Sequence, residues 1–326
     1  MDRHYIEFTT PDSATLIRDT APTPAREEVL VAAHHAGINR ADLLQRLGLY
    51  PPPEDASPIP GLEVAGEVVA LGEGCTHLQV GDRVCALTHG GGYASHAIAR
   101  EDHCLALPDT MTTQAGAALP EALLTVWYNV FERGRLTAGE TALIHGGSSG
   151  IGSVGIQMVT AMGATPLSTA GSAERCEAVL ALGARFVADH QGDLAQQFTE
   201  AGHAGKIDVI LDIAGGDLMQ TNLDLAAPDA RIVCIGVMRG MQSEINLATL
   251  FMKRLTLTGS TLRRLNMAER ARCFNAIREH IWPKVESGDI RPVVDTTYPL
   301  ADVLDAHEHM RLGAHFGKLV LDCRVE

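Results

Sequence analysis

Residues 142–157 have the sequence Ala-Leu-Ile-His-Gly-Gly-Ser-Ser-Gly-Ile-Gly-Ser-Val-Gly-Ile-Gln, and this stretch decides the fold. A short apolar run is followed by closely spaced glycines and then by an apolar pattern with helical spacing over residues 151–162. A strand, a tight turn and a helix N-terminus in this order bring backbone N–H groups close to an anion. The stretch therefore predicts the pyrophosphate-binding turn of a dinucleotide-binding domain.

The glycines Gly150, Gly152 and Gly155 match the spacing G-x-G-x-x-G. That match alone is weak, and a glycine-rich surface loop is the simplest alternative. The preceding strand pattern and the following helix pattern favour the dinucleotide turn over the loop.

A serine hydrolase is a second alternative, because Gly146-x-Ser148-x-Gly150 also fits the nucleophile elbow G-x-S-x-G. Its acid and base would be recruited from later in the chain, where Asp212 and either His307 or His315 are available. The glycines that continue beyond the elbow favour the dinucleotide turn.

Length and composition limit the class of protein. A chain of 326 residues with 46% hydrophobic and 20% charged residues is expected to form two ordinary globular domains. The net charge of −14 disfavours binding to nucleic acid or to an anionic membrane. The start of the chain lacks the apolar segment of a signal peptide, and no run has the length of a membrane span, so a cytoplasmic location is expected.

Cysteine usage fits that location. The seven cysteines are scattered, and none forms a C-x-x-C pair. Reduced thiols are expected rather than disulfides, and a four-cysteine zinc site is excluded.

The pattern along the chain changes near residue 120. Before it, short apolar runs separated by Gly and Pro predict strands at 29–33, 63–72, 83–87 and 93–98, a helix at 39–46, and hence a β-rich, barrel-like domain. After it, strand and helix patterns alternate as far as about residue 261, which predicts a parallel sheet covered on both faces. We expect one domain formed by 1–122 and 265–326, and a second formed by 123–264.

The end of the second strand in the parallel sheet indicates which dinucleotide binds. NAD-binding domains place an acidic residue there, but this chain has Ser168-Thr169-Ala170-Gly171-Ser172-Ala173-Glu174-Arg175. A guanidinium at Arg175 would bind a ribose 2′-phosphate, so the pattern favours NADPH. Alternatively, Arg175 is a solvated helix residue.

Further motifs carry a family resemblance over the whole chain: Asn39-Arg40-Ala41-Asp42, Gln45-Arg46-x-Gly48-x-Tyr50, Pro60-Gly61-Leu62-Glu63-Val64-Ala65-Gly66, Leu119-Pro120-Glu121-Ala122 with Thr125, the glycine turn, and Gly317-Lys318-Leu319-Val320-Leu321. With these motifs the chain resembles the medium-chain dehydrogenase/reductase superfamily. Within it, the chain resembles the zinc-independent quinone oxidoreductases related to zeta-crystallin, and most of all the branch of the tumour-suppressor-inducible quinone oxidoreductase. The resemblance implies an α/β fold: a Rossmann doubly wound parallel sheet and a β-rich GroES-like barrel domain.

The resemblance also implies a site without metal. Zinc alcohol dehydrogenases of this superfamily carry a cysteine where this chain has Asn39, and Gly-His-Glu where it has Gly61-Leu62-Glu63. Glu63 remains and is expected to be a structural carboxylate rather than a ligand.

The family's functional residues transfer to matching positions. The implied catalytic residues are Tyr50, Ser149, Asn39 and Asp42. The implied cofactor-binding residues are Thr125, Gly147, Ser149, Gly150, Ile151, Gly152, Gly171, Ser172, Arg175, His190, Gly236, Leu262, Gly317 and Lys318. His190 replaces a family tyrosine that packs beside the adenosine; a histidine can stack there and, when charged, assist the phosphate.

The implied function is zinc-independent hydride transfer from NADPH to a quinone, in a cleft between the two domains. Three alternatives stay open: reduction of an alkenal or enone double bond, a cofactor-binding protein without catalysis, and hydrolysis by Ser148. The expected partner is a small electrophilic molecule. The family habit also implies a homodimer, in which the strand at 255–258 pairs across the edge of the sheet.

Overall fold

The structure is a computed structural model that describes residues 1–325, and the chain divides into two compact units. The first unit contains Met1–Ala122, Asn266–Arg278 and the chain from Pro292 onward, and the second contains Leu123–Leu265 and Glu279–Arg291. In the part of the chain that is described, no helix combines the length and the apolar character needed to cross a membrane.

Within residues 1–325 the strands are, in chain order, β1 (Asp2–Thr10), β2 (Ser13–Thr20), β3 (Glu28–Gly37), β4 (Glu63–Leu71), β5 (Arg83–Thr88), β6 (His96–Ala106), β7 (Thr141–Ile144), β8 (Thr165–Ala170), β9 (Phe186–Asp189), β10 (Ile207–Asp212), β11 (Ala226–Cys234), β12 (Thr256–Gly259), β13 (Val294–Pro299) and β14 (Lys318–Asp322). The α-helices are α1 (Arg40–Arg46), α2 (Thr113–Gly116), α3 (Pro120–Val126), α4 (Gly150–Ala161), α5 (Ala173–Ala181), α6 (Leu194–Glu200), α7 (Leu218–Leu225), α8 (Leu247–Met252), α9 (Met267–Ala276), α10 (Trp282–Glu286) and α11 (Val303–Leu312). Two π-helical segments lie at Trp127–Arg133 and Ile277–Ile281, and two 3₁₀ helices lie at Leu262–Arg264 and Leu300–Asp302.

The second unit is built on a six-stranded parallel sheet with the order β12-β11-β10-β7-β8-β9. The first strand of this sheet, β7, lies in the middle. β8 and β9 follow on one side of it, and β10, β11 and β12 then follow on the other side. This is the strand order of a Rossmann domain, in which ligands bind beyond the carboxyl ends of the strands where the order reverses. The predicted doubly wound fold is confirmed, and its reversal point lies between β7 and β10.

The first unit contains a small antiparallel barrel. Strands β3, β4, β5 and β6 pair in sequence, and β6 pairs back onto β3, which closes the ring. β14 pairs in antiparallel fashion with the C-terminal end of β3, and β13 pairs in parallel with β14. The predicted β-rich barrel is confirmed.

Local predictions differ from the structure at two places in this unit. The strand expected at 93–98 begins instead at His96, because the Tyr93 N–H donates to the Pro60 carbonyl rather than to a ladder partner. The hairpin of β1 and β2 is not predicted by the sequence pattern, although it pairs over almost its whole length.

The expected domain boundaries differ from the observed units at residues 279–291, which the sequence pattern assigns to the barrel domain. In the structure they group with the parallel sheet. His280 stacks on Trp127 with ring centroids 5.8 Å apart, and the Arg291 N–H donates to Gln157 Oε1 at 2.8 Å. Ile281 and Ile290 are fully buried, so this segment contributes to the core of the second unit.

The glycines of the turn after β7 have different structural roles. A Cβ on Gly147 would lie 2.3 Å from Ser168 Oγ, and one on Gly152 would lie 2.2 Å from the Gly146 carbonyl oxygen. A Cβ on Gly155 would meet nothing closer than the Val126 methyl, at 3.3 Å. Close packing of the turn against its own backbone therefore requires glycine at 152 but not at 155.

We expect Gly152→Ala to lower the free energy of unfolding by about 3 kcal/mol, because the new methyl group overlaps a backbone carbonyl that cannot move aside. Gly155→Ala is the matched control. There the gain in helix propensity, about 1 kcal/mol, offsets the tight contact with Val126, so its stability should stay within about 1 kcal/mol of wild type. Urea unfolding of both variants checks this, and equal losses would contradict the packing argument.

Candidate functional site

The glycine turn leads directly into the N-terminus of α4, which is 12 residues long. Ser149 is the N-cap, and its Oγ accepts the Gly152 N–H at 3.0 Å. The backbone N–H groups of Ser148, Gly150 and Ile151 have no hydrogen-bond acceptor among residues 1–325. Three unpaired donors at a helix N-terminus suit a pyrophosphate, so the residues present fit a dinucleotide. The Ser149 hydroxyl keeps its hydrogen available for donation.

The turn is attached to the neighbouring strand β8 through Thr169. The Gly146 N–H donates to Thr169 Oγ1 at 3.1 Å, and the Gly147 N–H donates to the Thr169 carbonyl at 2.9 Å. The inner amides of the turn are thereby used within the protein. Gly146 has a φ of 72°, a conformation that favours glycine.

The turn after β8 holds the residues predicted to bind the ribose phosphate. Ser172 is the N-cap of α5, and its Oγ accepts the Arg175 N–H at 3.3 Å. Arg175 is half-buried in the first turn of that helix, so the structure places Ser172 and Arg175 together.

His190 lies beside the same turn. A Cβ on Gly171 would lie 3.0 Å from His190 Nε2, so the imidazole covers the glycine. Partial burial lowers the pKa of His190; Asp189 opposes this, while Arg239 and Arg175 add to it. In the absence of a phosphate, burial therefore favours the neutral imidazole, and the role of His190 beside the cofactor stays a prediction.

The hydrolase alternative receives no geometric support. Among the residues that the structure describes, no histidine hydrogen-bonds Ser148. The nearest histidine along the chain, His145, uses both ring nitrogens elsewhere, with Nδ1 3.2 Å from Thr169 Oγ1 and Nε2 2.8 Å from Asn222 Oδ1. Sequence reasoning did not identify this buried histidine as functional, and its position directly before the turn is the signal that it overlooked.

In the first unit, Asn39 is the N-cap of α1 and forms a capping box with Asp42. Its backbone N–H donates to Asp42 Oδ2 at 2.8 Å. Its side-chain Nδ2 donates to Glu63 Oε1 at 2.8 Å, and its Oδ1 accepts from Lys318 Nζ at 2.7 Å. The orientation of this amide is thus fixed by two charged groups.

Lys318 and Glu63 form a buried ion pair, with Nζ 2.5 Å from Oε1 and side chains that are 5% and 0% exposed. The ammonium also donates to the Ile38 carbonyl at 3.0 Å, so its three N–H donors all have acceptors within this unit. Glu63 Oε2 accepts the Glu121 N–H at 2.9 Å. A direct bond from the Lys318 ammonium to a cofactor would require one of these bonds to break.

Asp42 is fully buried and accepts three hydrogen bonds. Besides Asn39, the Gly61 N–H donates to Oδ1 at 3.2 Å and the Tyr93 hydroxyl donates to Oδ2 at 3.1 Å. Burial raises the pKa of Asp42 to about 6, although the bonds from Asn39 and Gly61 oppose the rise. Burial, and then the neighbouring Glu63 carboxylate, raise the pKa of Glu121 to about 7.

The other predicted residues are distributed over both units. Tyr50 is half-buried after α1, and Gly317 has a φ of 89° directly before β14. In the second unit, Thr125 is buried in α3, Leu262 is half-buried after β12, and Gly236 follows β11. A Cβ on Gly236 would lie 2.3 Å from the Ile213 carbonyl oxygen, so the backbones beyond β10 and β11 approach closely. No three His, Cys, Asp or Glu side chains within residues 1–325 are grouped to hold a metal ion.

Comparison with known proteins links both units to one superfamily. The family model described as an alcohol dehydrogenase GroES-like domain matches residues 25–109, and the one described as a zinc-binding dehydrogenase matches residues 150–279. The structure of Escherichia coli quinone oxidoreductase complexed with NADPH superimposes with a TM-score of 0.85 and 28% identity, covering 99% of this chain and 100% of that chain.

Two sequence relatives differ in how much of their length this chain covers. A phenolphthiocerol/phthiocerol polyketide synthase of Mycobacterium tuberculosis is 29% identical over 91% of this chain, but the chain spans only 14% of that protein. The quinone oxidoreductase of Rattus norvegicus is 32% identical over 97% of this chain and 95% of its own length. Because the latter similarity covers nearly all of both chains, this chain belongs to the zeta-crystallin-like quinone oxidoreductase family of the medium-chain dehydrogenase/reductase superfamily.

Proposed function

We propose that this chain is an NADPH-dependent quinone oxidoreductase that reduces its substrate without a catalytic metal. The observation that carries the proposal lies at the N-terminus of α4, where the backbone amides of Ser148, Gly150 and Ile151 have no acceptor in the described part of the chain. The rat relative is a quinone oxidoreductase, and the Escherichia coli structure holds NADPH, which supports the same cofactor and substrate class here.

The second unit supplies the proposed cofactor site. The unpaired amides would hold the pyrophosphate, Ser172 and Arg175 would hold the 2′-phosphate, and His190 would stack beside the adenosine over Gly171. Thr125, Ser149, Gly236 and Leu262 would line the site, while Gly147 and Gly152 allow the turn to pack. When bound, NADPH supplies the hydride.

The first unit supplies the proposed stabilisation of the acceptor. Asn39 Nδ2 carries two hydrogens, of which Glu63 accepts one, so the second can donate to the oxygen that becomes negative as a quinone is reduced. Tyr50 is the second proposed donor. Glu63 and Lys318 act by orienting Asn39, and we therefore propose a positioning role for Lys318 rather than a direct cofactor contact.

We also propose that the active form is a homodimer. β12 is the last strand of its sheet, and three of its four residues are exposed. An unpaired edge strand can pair with another chain. Leu247, Phe251 and Met252 on the preceding α8 are also exposed and apolar, which supports contact with a second copy.

The proposal is tested by steady-state kinetics with 1,2-naphthoquinone or an alkenal as acceptor and NADPH or NADH as donor. We expect quinone reduction with preference for NADPH. Arg175→Ala should raise the KM for NADPH about 10- to 100-fold, because a charge-assisted bond to the 2′-phosphate is lost, and should leave the KM for NADH unchanged.

Arg185→Ala is the matched control, since Arg185 is exposed and its N–H bonds Pro166 near the start of β8, at the opposite end of the strands. It removes the same charge and should change neither constant. Equal effects of Arg175→Ala on both cofactors would refute the NADPH assignment, and faster reduction of the alkenal would replace quinone as the substrate class.

Tyr50→Phe should lower kcat with the quinone about tenfold while the KM for NADPH stays the same, because only a donor to the developing oxyanion is removed. Tyr5→Phe, on the half-buried face of β1, is the control for loss of a tyrosine hydroxyl. Unchanged turnover in Tyr50→Phe would remove Tyr50 from the mechanism.

We expect Asp42 to make the stability of the protein depend on pH. Its pKa in the folded protein, about 6, lies above the ordinary value of 3.8, so its contribution is fully present below pH 3.8 and is lost as the pH rises through 6. The loss is of the order of 3 kcal/mol. Asp42→Asn cannot ionise, so its unfolding free energy should fall less than that of wild type between pH 4 and 7 in urea titrations. Parallel curves for the two proteins would show that Asp42 does not titrate in this range.

A further inference from the structure

A continuous chain of buried hydrogen bonds runs beneath the glycine turn, across the reversal point of the parallel sheet. It starts at Asp212, the last residue of β10, whose Oδ1 accepts the N–H groups of Ala214 at 2.7 Å and Gly215 at 2.9 Å. Asp212 Oδ2 accepts from Asn222 Nδ2 at 3.1 Å. The side chains of Asp212 and Asn222 are fully buried, so each of these bonds replaces a lost bond to water.

The direction of every bond in this chain follows from the carboxylate. An ionised carboxylate only accepts, so Asn222 must turn its NH₂ group toward Asp212 and its carbonyl oxygen toward His145. That oxygen also only accepts, so His145 Nε2, 2.8 Å away, must carry the hydrogen. Burial lowers the pKa of His145, which favours the neutral ring, and Nδ1 is then an acceptor.

Thr169 completes the chain. Its hydroxyl donates to His145 Nδ1 at 3.2 Å, and the same oxygen accepts the Gly146 N–H at 3.1 Å. The Thr169 carbonyl accepts the next amide, that of Gly147. Thr169 thus accepts hydrogen bonds from the amides of both Gly146 and Gly147. Its hydroxyl is oriented by the chain of hydrogen bonds that starts at Asp212 on β10.

We propose that Thr169, oriented by His145, Asn222 and Asp212, is a positioning residue for the cofactor. It holds the first half of the turn against β8, which leaves the amides of Ser148, Gly150 and Ile151 outside the internal network and available to the pyrophosphate. The inference rests on the proposed NADPH function. It adds residues that do not themselves touch the cofactor.

Thr169→Val preserves the shape of the side chain but removes both bonds of the hydroxyl. We expect the dissociation constant for NADPH, measured by calorimetry, to rise about tenfold, because the hydroxyl no longer fixes the first half of the turn to β8, while the KM for the quinone stays unchanged. Thr169→Ser restores the hydroxyl and should restore the affinity. Thr165→Val, at the amino end of the same strand, is the matched control and should bind NADPH like wild type.

The protein without cofactor provides a second, independent measurement. ¹⁵N NMR of wild type should show His145 as the neutral tautomer protonated on Nε2, and Asn222→Leu should shift the population toward protonation on Nδ1. A charged or Nδ1-protonated His145 in wild type would overturn the proposal even if Thr169→Val fails to fold.

Wild-type affinity in a folded Thr169→Val would also overturn the proposal, because a merely structural role changes stability and not binding. The failure of the proposed function gives a different result. If the proposed function is wrong, wild type itself binds no NADPH, and the positioning role is then refuted as well.

Discussion

The buried ion pair between Lys318 and Glu63 is the interaction on which the first unit depends. Lys318 is the first residue of β14, Glu63 is the first residue of β4, and the same ammonium also bonds the Ile38 carbonyl directly after β3. Segments distant in sequence are therefore joined at one point. Removing either partner would leave an uncompensated charge in the interior, which typically costs about 3–5 kcal/mol.

The ion pair also constrains the backbone around it. A Cβ on Gly37 would lie 2.3 Å from Glu63 Oε1 and 2.3 Å from the Ala117 carbonyl oxygen, so the carboxylate needs a glycine beside it. The Glu121 N–H then satisfies the second carboxylate oxygen. The family resemblance implied a structural role for Glu63, but it did not identify Lys318 as its partner, and the two residues are 255 positions apart.

The features that the sequence predicted are those that local patterns determine. Alternating strand and helix patterns after residue 120 indicated the parallel sheet, and the glycine spacing indicated the turn at the carboxyl end of β7. The missed features depend on contacts between distant segments. Residues 279–291 join the second unit through Trp127 and Gln157, and the partners of His145 lie on β8 and α7. The β1–β2 hairpin is an exception, because its strands are joined by the local turn Pro11-Asp12.

The two units use the same physical device to orient a neutral amide. In the first unit, Glu63 can only accept and Lys318 can only donate, so the Asn39 amide has a single favourable orientation, with one N–H remaining. In the second unit, Asp212 turns the NH₂ group of Asn222 toward itself, and that choice passes through His145 to Thr169. In both units a charged group in the interior, where water cannot screen it, orients a side-chain amide. In the second unit the amide then orients the next hydrogen-bonded side chain. The buried charges therefore define how the polar side chains near both sets of proposed functional residues are oriented.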